Sequence, residues 1–165
     1  MLFVHSKAKD YFMAMSLITI YTDGSCHTQL KIGAWAAVIL VDGKKKILTG
    51  KAENTTHNRM ELTAVIDALM FVQNNYGVTR EIKIISDSQY VIGLTAREQK
   101  LSANDFITKK GKPVQNADLV KQLLFLLNTM NVNLEKIKAH QQKTGVDDYN
   151  IEVDKLSRKL VREGS

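Results

Sequence analysis

Residues 17–26 read LITIYTDGSC. Ile18, Ile20 and Tyr21 make a β-branched and aromatic run that favours a buried, pleated strand, and Gly24 permits the turn that ends it. The run climbs to a single acid, Asp23. A carboxylate at the exit of a buried strand is costly unless something there uses its charge. What else in the chain converges on Asp23 therefore decides both the fold and the function.

At 165 residues the chain fits one domain with a single core. Its apolar share of 44% and charged share of 24% are those of a globular protein, and one proline with nine glycines excludes a fibrous or low-complexity chain. Lys and Arg number 23 against 17 Asp and Glu, giving a net charge of +6 and a pI near 9.4. That excess points to a polyanionic partner, nucleic acid first. Cys26 is the sole cysteine, so no internal disulfide forms, and CxxC and HExxH spacings are missing. A reducing, cytoplasmic setting is expected. No apolar run approaches the ~20 residues of a membrane span. Lys7 and Lys9 before the apolar 11–21 mimic a signal peptide, but that run passes directly into TDGS without a small-residue cleavage site. Residues 1–16 are expected to be an extension, with Met13 and Met15 as alternative starts, and 17–165 the folded domain.

After Cys26 a polar loop, 27–31, leads to a strand over 33–41, whose Gly33, Ala34, Ala36 and Ala37 allow close backbone approach. Asp42-Gly43 is a hairpin signal, and 46–51 is the returning strand. Asn58 is a candidate N-cap for a helix to about 75, with Leu62, Val65, Ile66, Leu69 and Val72 at helical spacing. Residues 81–86, EIKIIS, form a short strand that ends at Asp87 and, after a crossover helix, is a candidate to lie parallel to the first. A short helix is expected over 88–96, a polar, irregular and basic stretch over 97–114, and an amphipathic helix over 117–130. A last strand over 132–139 and a closing helix over 150–162 complete a mixed α/β sheet domain.

Three acids sit where this order can gather them beside Asp23: Glu61 in the first turn of the long helix, Asp87 at the end of the fourth strand, and Asp154 in the last helix. Parallel first and fourth strands would deliver Asp23 and Asp87 to one sheet edge, where open α/β sheets place ligands. Each acid also has a plain structural job open to it, since Asp23 suits a turn, Glu61 the helix dipole and Asp87 a cap. Asp147 and Asp148 compete with Asp154, which is preferred because Asn150 lies one helical turn before it on the same face. Clustered carboxylates repel unless cations intervene, and hard divalent ions with oxygen ligands meet that need. Two such ions ~4 Å apart would stabilise attacking and leaving oxygens in phosphodiester cleavage.

YTDGS at 21–25, TTHNRMEL at 55–62, SDSQYV at 86–91, KAH at 138–140 and DKLS at 154–157 occur in this order. Together they resemble type 1 ribonuclease H, the enzymes that cut the RNA strand of RNA–DNA hybrids, over about 17–160. The resemblance implies a ribonuclease H-like mixed five-stranded sheet flanked by helices. It implies Asp23, Glu61, Asp87 and Asp154 as catalytic metal ligands for two Mg²⁺ (Mn²⁺ as an alternative), and ends left as 3′-hydroxyl and 5′-phosphate. It implies His140 as a mobile catalytic residue for proton transfer or product release, a task that an imidazole titrating near neutrality suits.

For the hybrid, Asn58 and Gln89 stand in the family's groove-reading positions, with Cys26, Thr56, Tyr90 and Asn150 as further contacts. Lys109, Lys110 and Lys112 occupy the place of the family's basic handle and would grip phosphates. The chain departs from the pattern in its loop HTQLKIG, in His57 where an asparagine is frequent, and in a longer 140–150 loop. Binding is expected from this one face, by a monomer. Two rivals remain: a transposase- or integrase-type nuclease acting on DNA, and a non-catalytic nucleic-acid-binding relative.

Overall fold

The computed structural model describes residues 17–137 and 148–164. The expected extension over 1–16, Lys138 and His140 lie outside the described residues. Strands β1 (Ile18–His27), β2 (Ile32–Val41) and β3 (Lys44–Ala52) form an antiparallel meander. Helix α1 (His57–Tyr76) crosses to β4 (Ile82–Ser86). The short α2 (Gln89–Ile92), α3 (Leu94–Ala103) and α4 (Ala117–Thr129) precede β5 (Val132–Lys136), and α5 (Tyr149–Arg162) closes the fold.

The sheet order is β3-β2-β1-β4-β5, with β1 central, antiparallel to β2 and parallel to β4. The side-chain period of two sorts the sheet residues onto two faces. Ile18 and Ile20 of β1 join Ile39, Leu62, Leu69, Ile82, Ile84 and Leu123 in the main core, under α1 and α4. The alternate residues Tyr21, Ala36, Val38 and Leu40 pack against Val153 and Leu156 of α5 on the other face. Asp42 and Gly43 both have positive φ, 51° and 71°, as a tight two-residue hairpin turn of this hand requires. Arg80 clamps that turn from the segment before β4, its two terminal nitrogens 3.0 and 2.7 Å from the Asp42 carboxylate.

Glycine sets how closely α1 approaches the sheet. A Cβ on Gly24 would stand 2.4 Å from the Glu61 backbone nitrogen and 2.5 Å from the Met60 carbonyl carbon. The start of α1 therefore rests directly on the end of β1, which brings Glu61 next to Asp23 in space.

Some boundaries differ from the sequence reading. Gly24 does not end the first strand: β1 runs through it to His27, with Gly24 paired to Trp35 of β2. The N-cap of α1 is Thr56, not Asn58: the Thr56 hydroxyl accepts from the Arg59 amide at 3.3 Å, and Asn58 is already helical. The stretch 97–114 is not irregular. Helix continues to Ala103, and the rest folds into a strapped turn, with Thr108 donating to the Lys112 carbonyl at 2.7 Å and Val114 to the Phe106 carbonyl at 2.8 Å. Strand β5 is described to Lys136. Among the described residues no helix is long and apolar enough to cross a membrane.

Candidate active site

Parallel pairing aligns Tyr21 of β1 with Ile85 of β4. Carried two residues further, that register sets Asp23 level with Asp87 as the two strands leave the core. Asp23, Glu61, Asp87 and Asp154 line one open cleft of about 500 Å³, together with Cys26 and Gln89. Asp23 and Glu61 are buried, at 9% and 8% exposure, whereas Asp87 is exposed and Asp154 intermediate.

Burial pushes the Asp23 carboxyl up to about 6, and the nearby charges of Asp87 and Asp154 push it the same way. Opposing them, the wholly buried Ser157 hydroxyl donates to Asp23 Oδ2. Ser88 Oγ donates to Glu61 Oε2 at 2.5 Å and also caps α2, accepting from the Val91 amide at 3.2 Å. On the open side His57 Nε2 stands 3.0 Å from Glu61 Oε1. That hydrogen bond raises the His57 pKa, and partial burial lowers it less. Arg158 Nε donates to Asp154 Oδ1 at 2.7 Å. His57, Ser88 and Arg158 line the same cleft.

These holders were not foreseen as site residues. Three of the four carry a helical spacing: His57 lies four residues before Glu61, Ser157 three after Asp154 and Arg158 four after it.

The remaining candidates lie outside the lining of the cleft. The Thr56 hydroxyl serves as a helix cap. Tyr90 donates to the Gln115 carbonyl at 3.1 Å, with the Arg97 guanidinium 5.2 Å above its ring, so it braces α2 against the segment entering α4. Asn58 is in the first turn of α1 and Asn150 in the first turn of α5. Lys109, Lys110 and Lys112 are exposed on the strapped turn beyond α3.

A donor set of four carboxylates, one of them pushed up to about 6 chiefly by burial and further by the charges of Asp87 and Asp154, suits a hard divalent cation such as Mg²⁺, whose charge would offset that penalty. Among the described residues no three His, Cys, Asp or Glu side chains are already drawn together around a metal position. Asp23 is turned instead toward Ser157, Glu61 toward Ser88 and His57, and Asp154 toward Arg158. The donors fit the ion by their chemistry and by lining one cleft.

A family model described as RNase H matches residues 15–162. A ribonuclease H from Caldicellulosiruptor saccharolyticus is 35% identical over 151 residues, spanning 90% of this chain and 99% of that relative. One from Wolbachia sp. subsp. Drosophila simulans is 37% identical over 150 residues, spanning 90% and 98%. Among solved structures, LC9-RNase H1, a type 1 RNase H with the type 2 active-site motif, superposes with a TM-score of 0.73 at 18% identity, covering 92% of this chain and 74% of that one. The foamy viral protease-reverse transcriptase in complex with RNA/DNA hybrid gives 0.68 at 19% identity, over 89% of this chain and 20% of that one. With the sheet order, the acid-lined cleft and a match over nearly the whole length in agreement, the chain belongs to the ribonuclease H family.

Proposed function

We propose that this chain hydrolyses the RNA strand of RNA–DNA hybrids at the cleft lined by Asp23, Glu61, Asp87 and Asp154. The observation that carries the proposal is the meeting of these four acids, from β1, α1, β4 and α5, in one cleft of a ribonuclease H chain. Asp23 and Asp87 come from neighbouring parallel strands, so the rigid core fixes their spacing. Glu61 is fixed by the contact of α1 with Gly24, and Asp154 by the packing of α5 on the opposite sheet face.

Mg²⁺ or Mn²⁺ held by these carboxylates, as a pair with substrate, would supply Lewis acidity for charge building on phosphate oxygens and activate the water nucleophile. The protein's own part is to position. Ser157 fixes Asp23 through Oδ2, and Ser88 fixes Glu61 through Oε2. Gln89 and Cys26 on the lining, and Asn58 at the start of α1, offer donors and acceptors to base edges and 2′-hydroxyls in a hybrid minor groove. Lys109, Lys110 and Lys112, exposed on the turn beyond α3, are assigned to backbone phosphates. His140 is assigned to proton traffic, and the protein to action as a monomer in the cytoplasm.

The test is a hybrid carrying a separate label on each strand, compared with duplex DNA and duplex RNA, with and without Mg²⁺. The reading expects cation-dependent cutting of the hybrid's RNA strand alone, leaving 3′-hydroxyl and 5′-phosphate ends. Equal cutting of duplex DNA would sink it.

A further inference from the structure

Glu61 has both carboxylate oxygens engaged by protein groups of unlike character. Ser88, on Oε2, is buried and fixed by its second duty as the cap of α2. His57, on Oε1, stands in the first turn of α1 on a side chain that is 56% exposed, and it faces the cleft in which Asp23 and Asp87 also lie. Its imidazole can turn away into solvent without breaking a core contact, whereas Ser88 cannot. The oxygen held by the releasable partner is thus the one presented to the open side.

We propose that His57 is a positioning residue that latches Glu61, so that a divalent cation gains this carboxylate only by displacing the imidazole from Oε1. The inference rests on the reading of Glu61 as a metal ligand. In this arrangement Oε1 of Glu61 is engaged by His57 and Oε2 by Ser88. The latch needs only the N–H donor, which both the neutral and the charged ring supply.

The test is calorimetric titration of the full chain with Mg²⁺ at one fixed pH, without nucleic acid, for the wild type, His57→Ala, His57→Gln, Glu61→Gln and the double variant His57→Ala with Glu61→Gln. A half-exposed contact of this kind is modest, so His57→Ala is expected to lower the Mg²⁺ Kd about two- to fivefold. Its thermal unfolding without Mg²⁺ stays unchanged. His57→Gln, which keeps an N–H donor without a charge, is expected to stay near the wild-type Kd. In the Glu61→Gln background His57→Ala is expected to change nothing, because the coupling partner is gone. An unchanged or raised Kd in His57→Ala would overturn the latch, as would His57→Gln behaving like His57→Ala, which would point to simple charge repulsion. Wild-type protein that bound no Mg²⁺ would overturn the metal reading itself, and the latch with it.

Discussion

Replacing Asp23 by Asn removes a charge that the fold holds at a cost, and the size of that cost follows from the site. The Asp23 carboxyl moves from an ordinary value of 3.8 to about 6, chiefly through burial, with Asp87 and Asp154 adding to it. Between those values the folded chain binds more protons at this position than the unfolded chain, so stability falls as pH rises, and the full penalty is present above about pH 6. At about 1.4 kcal/mol for each pH unit the penalty is about 3 kcal/mol. An Asn Oδ1 still accepts from Ser157, and the favourable bond from Ser157 to the charged carboxylate is already contained in that net shift. Asp23→Asn should therefore be more stable than wild type by about 3 kcal/mol at pH 8 in urea unfolding without divalent ions, the gain fading below pH 4. Mg²⁺ should narrow the gap, since the ion stabilises only the chain that binds it. A variant less stable than wild type at pH 8, or a difference independent of pH, would refute the account of Asp23 as a strained charge.

Two further perturbations address the scaffold and the substrate face. Gly24→Ala places a methyl carbon against the backbone of Met60 and Glu61, atoms that cannot swing aside, and should cost about 3 kcal/mol or more in unfolding free energy together with most of the activity. Joint replacement of Lys109, Lys110 and Lys112 by Ala should raise KM for hybrid and flatten its dependence on log salt by about one for each lysine that meets a phosphate, while kcat holds. An unaltered salt slope would remove these lysines from the binding face.

The sequence disclosed most where one physical rule acts alone. The β-branched run to Asp23, the Asp42-Gly43 turn and the apolar stripe of α1 each obey a single period or dihedral requirement, and the structure has them as read, except that β1 runs past Gly24 to His27. It disclosed less where rules compete. Thr56 and Asn58 are both good caps, and only the backbone path shows that the Thr56 hydroxyl meets the Arg59 amide. Helix α3 passed for irregular chain because it buries only Leu94 and carries no apolar stripe. The four acids were legible as residues at element ends. Their holders were not, because Ser157 meets Asp23 across 134 residues of chain and only the packing of α5 on β1 brings the two together. His57 was legible only as a departure from a family pattern; its contact with Glu61 gives that departure a physical content.

The most direct test of the four-acid centre is Asp87→Asn. Asp87 is exposed at the exit of β4, so the substitution removes one candidate ligand while sparing the core. Hybrid cleavage, hybrid binding without divalent ions and thermal unfolding would be measured on the same preparation. The account predicts turnover lower by at least about a hundredfold, with binding and unfolding unchanged. Wild-type turnover in a folded Asp87→Asn protein would contradict it.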